Sequence, residues 1–228
     1  MNPVRFTIPA LLTAMLLPLT ACEDQKRTET RSYDLSSAVT AMAVHSFGGR
    51  ITVTAAAGGT IHVTETLRYT GARPAPEYRL DAGQLTFTSG CQGHQGDCGV
   101  DYRIEVPAGV HTTMDSAGGA IAVDGLAGRL DLSSGGGTID ATRIASASLT
   151  ARTGGGASVL DFAVPPGAVR TDSAGGDVTV RLPAERYAVD ARSDGGDTRI
   201  EVTVDPAASH RIDVRAGGGD ILVAPAVR

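Results

Sequence analysis

DSAGGAIAV at 115–123, LSSGGGTID at 132–140, ARTGGGASV at 151–159 and TDSAGGDVTV at 171–180 are one phrase written four times, and its reading decides the fold. In each copy the residues alternate, reach a glycine pair and alternate again. Alternation with period two puts every second side chain on one face of a β-strand, so the phrase reads as strand, tight corner, strand. RSDGGDTRI at 192–200 and VRAGGGDILV at 214–223 continue the series, and HSFGGRITV at 45–53 precedes it. The later glycine pairs end at 119, 137, 156, 176, 196 and 219, a repeat of about twenty residues.

Aligned on the glycines, the inward positions form columns. Before the pair, one column holds Met42, Thr112, Leu130, Leu149, Val169, Val189 and Ile212, and the next holds Val44, Met114, Leu132, Ala151, Thr171, Ala191 and Val214. A third column, beside the glycines, is small: Ser46, Ser116, Ser134, Thr153, Ser173, Ser193 and Ala216. After the pair come Ile51, Ile121, Ile139, Ser158, Val178, Thr198 and Ile221, then Val53, Val123, Ala141, Leu160, Val180, Ile200 and Val223. Each copy thus has a thin apolar face that only its neighbours can cover, which is the condition for a solenoid. The expected fold is all-β: a β-helix-like solenoid over residues 33–228, with glycine corners that allow positive φ and close packing, and proline at the opposite corners. A β-sandwich of glycine-rich hairpins is the alternative.

Residues 54–105 break the frame. IHVTETLRY at 61–69 alternates, Asp81-Ala-Gly-Gln marks a turn, and DYRIEV at 101–106 returns. This reads as antiparallel hairpin material on the N-terminal side, covering a sheet edge that would otherwise invite aggregation. Pro225 removes a ladder donor after the last strand and guards the other edge.

The chain opens with a short basic segment ending at Arg5, an apolar run from Phe6 to Leu19 interrupted by Pro9 and Pro18, and LTAC at 19–22. The run spans about 21 Å as a helix, short of the ~30 Å hydrocarbon core, so residues 1–21 read as a signal peptide. LTAC resembles a bacterial lipobox. It implies diacylglycerol and an acyl chain such as palmitate on Cys22, hence a protein held on the membrane outside the cytoplasm, with residues 22–32 as a polar tether. Cys91 and Cys98 enclose QGHQGD and fit a disulfide loop in that compartment; a zinc site of Cys91, His94, Asp97 and Cys98 is the competing reading.

The 228 residues include 29 glycines and 11 prolines, no tryptophan and 4% aromatics, which disfavours a large aromatic-packed enzyme core. A hydrophobic fraction of 42% is too high for a disordered chain, and a net charge of −5 argues against nucleic acid as a partner.

The lipobox, the glycine-paired strand repeats and the proline corners VPAGV at 106–110 and VPPGAV at 164–169 together resemble the DUF4097 group of bacterial adhesin-like proteins. The resemblance covers about residues 40–224. It implies a surface-exposed β-solenoid-like domain, sometimes associated with envelope stress, and supplies no catalytic residue.

Chemistry is sparse. GxSxG, HExxH, P-loop and dinucleotide fingerprints are absent, and His45, His62, His94, His111 and His210 lack metal-ligand spacing. Asp177, Asp197 and Asp220 follow their glycine pairs on three successive coils, a weak calcium candidate set against the simpler reading that each bonds its own corner. The expectation is therefore a lipid-anchored, non-catalytic binding or scaffold module with no cofactor beyond the lipid. It would meet an unknown protein or glycan through the loop carrying Gln92, His94, Gln95 and Asp97. An envelope-stress accessory is the alternative, and a carbohydrate-active enzyme using the stacked acids the more distant one.

Overall fold

The computed structural model describes residues 25–36, 38–93 and 95–226, and these contain strands and turns with no helix. Cys22 and the rest of the leader, and His94, lie outside the described residues. The strands are β1 (Arg27–Leu35), β2 (Ala41–Ser46), β3 (Ile51–Ala56), β4 (Ile61–Tyr69), β5 (Glu77–Asp81), β6 (Gln84–Thr88) and β7 (Cys98–Pro107). There follow β8 (His111–Ser116), β9 (Ile121–Asp124), β10 (Leu130–Ser134), β11 (Ile139–Ile144), β12 (Ser148–Thr153), β13 (Ser158–Phe162), β14 (Ala168–Ser173) and β15 (Val178–Leu182). The last are β16 (Arg186–Ser193), β17 (Thr198–Ile200), β18 (Thr203–Val204), β19 (Arg211–Ala216) and β20 (Ile221–Pro225).

Two ten-stranded sheets, mostly parallel, enclose the core. One runs β1-β4-β7-β3-β9-β11-β13-β15-β20-β17; the other runs β18-β16-β19-β14-β12-β10-β8-β2-β6-β5. Each glycine phrase contributes one strand to each sheet, and such a two-strand unit is called a rung below. The inward columns are in register: Met42 pairs with Thr112, Thr112 with Leu130, Leu130 with Leu149, and Leu149 with Val169. Parallel ladders of this kind are incompatible with a sandwich of hairpins, whose consecutive strands run antiparallel.

The small column has a hydrogen-bonding duty. Gly119 N–H donates to Ser116 Oγ at 2.8 Å, Gly137 N–H to Ser134 Oγ at 2.9 Å, Gly156 N–H to Thr153 Oγ1 at 3.0 Å and Gly176 N–H to Ser173 Oγ at 2.9 Å. Several of these hydroxyls donate in turn to a neighbouring rung, as Ser134 does to Gly119 O at 3.0 Å. A corner N–H is thereby satisfied in six of the seven glycine phrases, the exception being the one whose small residue is Ala216. The expected positive φ is not found at the glycine pairs; the positive-φ glycines lie elsewhere, as at Gly83 and Gly125. The last residue of each pair is glycine because the rungs touch there: a Cβ on Gly137 would lie 2.3 Å from Gly119 O.

Three further expectations are corrected. Rungs do not stack in chain order: Val169 pairs with Ile212, and Ile212 with Val189, so β19/β20 slots in between β14/β15 and β16/β17. The insertion is only partly antiparallel. β6 and β7 pair parallel with β2 and β3 and form an eighth rung outside the first glycine phrase, with β4 and β5 added antiparallel. Finally, residues 27–32, expected within a tether, belong to β1, which pairs with β4 along its whole length.

Candidate functional site

The N-terminal end is closed by side chains from both sheets. Tyr33 and Tyr78 stack across the end at 5.5 Å between ring centroids, Tyr78 meets Phe87 at 6.2 Å and Phe87 meets Tyr102 at 5.8 Å. Glu65 is fully buried beneath them, accepting from Arg31 Nε at 2.5 Å and from the Tyr33 hydroxyl at 2.6 Å. Burial, reinforced by the hydrogen bond to Glu65, raises the Tyr33 phenol well above its ordinary range; burial and the nearby Glu65 charge do the same to Tyr102. These groups build a lid, with Glu65 and Tyr102 buried and Arg31 and Tyr78 partly in solvent.

The disulfide joins Cys91 to Cys98 and lies at the corner of the eighth rung, where the other rungs carry their glycine pair. With both sulfurs so bonded, the zinc reading of Cys91, His94, Asp97 and Cys98 is overturned. The loop divides: Gln92 lines a groove, while Asp97 sits on the other limb, paired with Lys26 at 3.2 Å and donating its N–H to Thr70 Oγ1 at 3.0 Å. Gln95 is exposed on that same limb.

The groove, of about 620 Å³, runs over the corners of three neighbouring rungs and is lined by His45, Phe47, Thr88, Ser89, Gln92 and Asp115 among others. Phe47 is 54% exposed. Its N–H donates to Ser89 Oγ at 3.2 Å, and His45 Nδ1 lies 3.9 Å from Asp115 Oδ2. Neither Phe47 nor Asp115 stood out in the sequence. Yet the aligned position after the small column reads Phe47, Ala117, Gly135, Gly154, Ala174, Asp194 and Gly217, and the one bulky residue there is the signal that was available.

The acid column is assembled in a different order from that expected. Asp220 lies between Asp177 and Asp197, and each bond crosses between rungs: Asp220 N–H donates to Asp177 Oδ1 at 2.9 Å and Asp197 N–H to Asp220 Oδ1 at 2.8 Å. The carboxylates therefore stitch adjacent corners, where the sequence suggested bonds within each corner. Among the described residues no group of three or more His, Cys, Asp or Glu is placed to hold a metal ion. His62 and Asp34 pair at 2.6 Å on an exposed face, and Ser32 and Thr64, one step along it, bond each other at 2.8 Å. The outer face farther along is a lattice of matched charges, with Arg152–Asp131 at 3.2 Å and Arg215–Asp190 at 2.9 Å. The Arg215 hydrogen bond holds the Asp190 carboxyl below its usual range.

No family model and no curated protein matches the chain. Among solved structures it is similar to a putative adhesin from Bacteroides fragilis, with a TM-score of 0.56, 13% identity and coverage of 88% of this chain and 98% of that one. It is also similar to a putative cell adhesion protein from Clostridium sporogenes, with a TM-score of 0.51, 11% identity and coverage of 87% and 100%. At these identities the similarity is one of fold, and it extends over nearly the whole of both neighbours.

Proposed function

We propose that this chain is a β-solenoid held outside the cytoplasm by a lipid on Cys22, acting as a non-catalytic, adhesin-like binding module that takes protein or glycan at the groove beside the disulfide. The observation that carries the reading is Phe47. At its position the stack tolerates residues as small as glycine, and an aromatic ring half in water contributes little to folding. Beside it stand a histidine, a carboxylate and the Gln92 amide, a set suited to hydrogen-bonding a polar ligand against an apolar ring. The disulfide holds one wall of the groove in place, which lowers the entropic cost of binding. The groove hydroxyls already serve the fold, with Ser46 Oγ accepting from Gly49 N–H and Ser89 Oγ from Phe47 N–H, and this favours binding over turnover.

The test is binding of the full chain to a panel of envelope glycans and to intact cells, with Phe47→Ala as the variant. Binding at least tenfold weaker at an unchanged melting temperature is expected. Undiminished binding by that variant removes the groove from the account. Anchoring is tested separately: Cys22→Ser should move the protein from the membrane fraction to the soluble one and abolish incorporation of labelled palmitate.

A further inference from the structure

Among the described residues the far end of the stack has no lid. β16 and β17 form the last rung, and beyond Tyr187, which is buried, its inward side chains pack on the core but are covered by a neighbouring rung on one side only. Ile200 is 39% exposed, Val204 is exposed, and Val189, Ala191 and Val202 are only partly covered. Their counterparts one rung in, Val214 and Val223, are fully buried.

Both edges of this rung carry free backbone groups, and their phase is readable. Ala188 and Asp194 donate their N–H groups to His210 and Ala216, so the even residues of β16 bond inward and Val189, Ala191 and Ser193 point N–H and C=O at the open edge. In the other sheet Asp197 O accepts from Ile221 and Glu201 N–H donates to Val223, so Thr198 and Ile200 point outward. β18 covers only Arg186 and Tyr187, leaving a free stretch of β16 centred close to Ala191.

From these features we infer that the open end binds the open end of a second copy of this chain, across a two-fold axis passing through Ala191 in one sheet and Ile200 in the other. Three independent features converge on that axis. Ala191 and Ile200 each lie four residues from the nearer glycine of the Gly195–Gly196 corner, so they stand at matching depth in the two sheets and one axis serves both. Both residues belong to the outward-bonding set, so antiparallel pairing about them exchanges N–H···O=C bonds between Ala191 and its copy, and between Ile200 and its copy. The charges also match: Asp190 falls opposite Arg192 of the second copy, and Arg199 opposite Glu201 of the second copy, each pair occurring twice by symmetry. Edge charges of a single sign would keep copies apart; the sequences Asp190-Ala191-Arg192 and Arg199-Ile200-Glu201 are instead self-complementary. The contact extends each sheet across the junction and covers Ile200 and Ala191.

This inference is independent of the groove, and its test uses the full chain in detergent. Sedimentation from about 1 to about 100 µM is expected to show a monomer–dimer equilibrium. Arg199→Glu, at a side chain 77% exposed, places like charges opposite each other twice and should weaken the dimer at least tenfold; the double swap R199E/E201R should restore it. In a mixture of R199C and E201C chains a disulfide linking 199 to 201 should form faster than any in either variant alone. A wild-type chain that stays monomeric, or a dimer indifferent to R199E, overturns the inference; a double swap as weak as the single one overturns the two-fold register. Phe47→Ala should leave the dimer unchanged, so failure of the groove reading and failure of this one are separable.

Discussion

The two ends of the stack solve the same problem in opposite ways. Any stack of rungs finishes in a rung with one uncovered face. At the N-terminal end that face is sealed by two antiparallel strands in one sheet, one in the other, and the rings of Tyr33 and Tyr78 over Phe87 and Tyr102. At the C-terminal end β17 is three residues long, β18 two, and Ile200 stands in solvent. Aromatics concentrate accordingly, four of the five tyrosines lying in or beside the lid and only Tyr187 at the open end. A closed end contributes stability; an open one leaves a surface with defined chemistry. The N-terminal segment enters at the closed end through β1, so on a membrane carrying the proposed lipid the open end belongs to the far side of the domain.

The comparison can be broken most severely at the corner glycines. Gly49→Ala would put a Cβ 1.9 Å from Val100 O, between rungs held on both sides, and should cost roughly 3 kcal/mol or more by urea denaturation. Gly196→Ala meets Gly219 O at 2.5 Å, but its rung has a neighbour on one side only and can lift away, so about half that loss is expected. Equal losses would mean the terminal rung is as tightly held as the interior. Next, Glu65→Ala strips the buried lid of the acceptor for Arg31 and Tyr33 and should cost roughly 2–3 kcal/mol, Arg31 being partly solvated.

Reducing Cys91–Cys98 opens a loop with a sequence separation of 7 and should cost about 2 kcal/mol, with faster amide exchange confined to the β6–β7 corner. Ile200→Ala, measured at concentrations too low for self-association, should cost about 1 kcal/mol, because the residue is only partly covered in the single chain. A loss near that of a core isoleucine would contradict the open end.

Alkali provides the mildest contrast. Burial, with the nearby Glu185 charge, pushes the Tyr187 phenol up to about 12, and the lid phenols of Tyr33 and Tyr102 are pushed higher still. A raised phenol favours the fold below its unfolded pKa, near 10, and that contribution is lost as pH climbs through the folded value. Absorbance at 295 nm with single Tyr→Phe variants should therefore show Tyr187 ionising before Tyr33 and Tyr102. The reverse order would place the weaker end at the lid.

Much of this architecture was legible in the chain, and the reason is local. Period-two alternation sorts inward from outward residues without reference to anything distant, so Met42, Thr112, Leu130, Leu149 and Val169 align as a column in the structure as they do on paper. The groove was less accessible. The disulfide loop drew attention to Gln92, but Phe47 and Asp115 meet it only because β6/β7 folds back beside β2/β3, which no spacing announces. The residues from Arg27 onward looked like a tether because strand β1 is polar, as an edge strand can be when one face and one edge lie in water.

Strand, corner and facing were thus set by the amino-acid sequence alone, along with the small hydroxyl column and the cysteine pair. Which rung lies on which, and so which end is sealed, was decided only in three dimensions. Every rung offers the same columns and the same backbone bonds, so the hydrophobic pattern is satisfied by many stacking orders. Connection length does not single one out: residues 183–185 carry the chain past one vacant level, whereas residues 145–147, equally many, step a single level, and residues 205–210 then bring the chain back to insert β19/β20, leaving β16/β17 outermost.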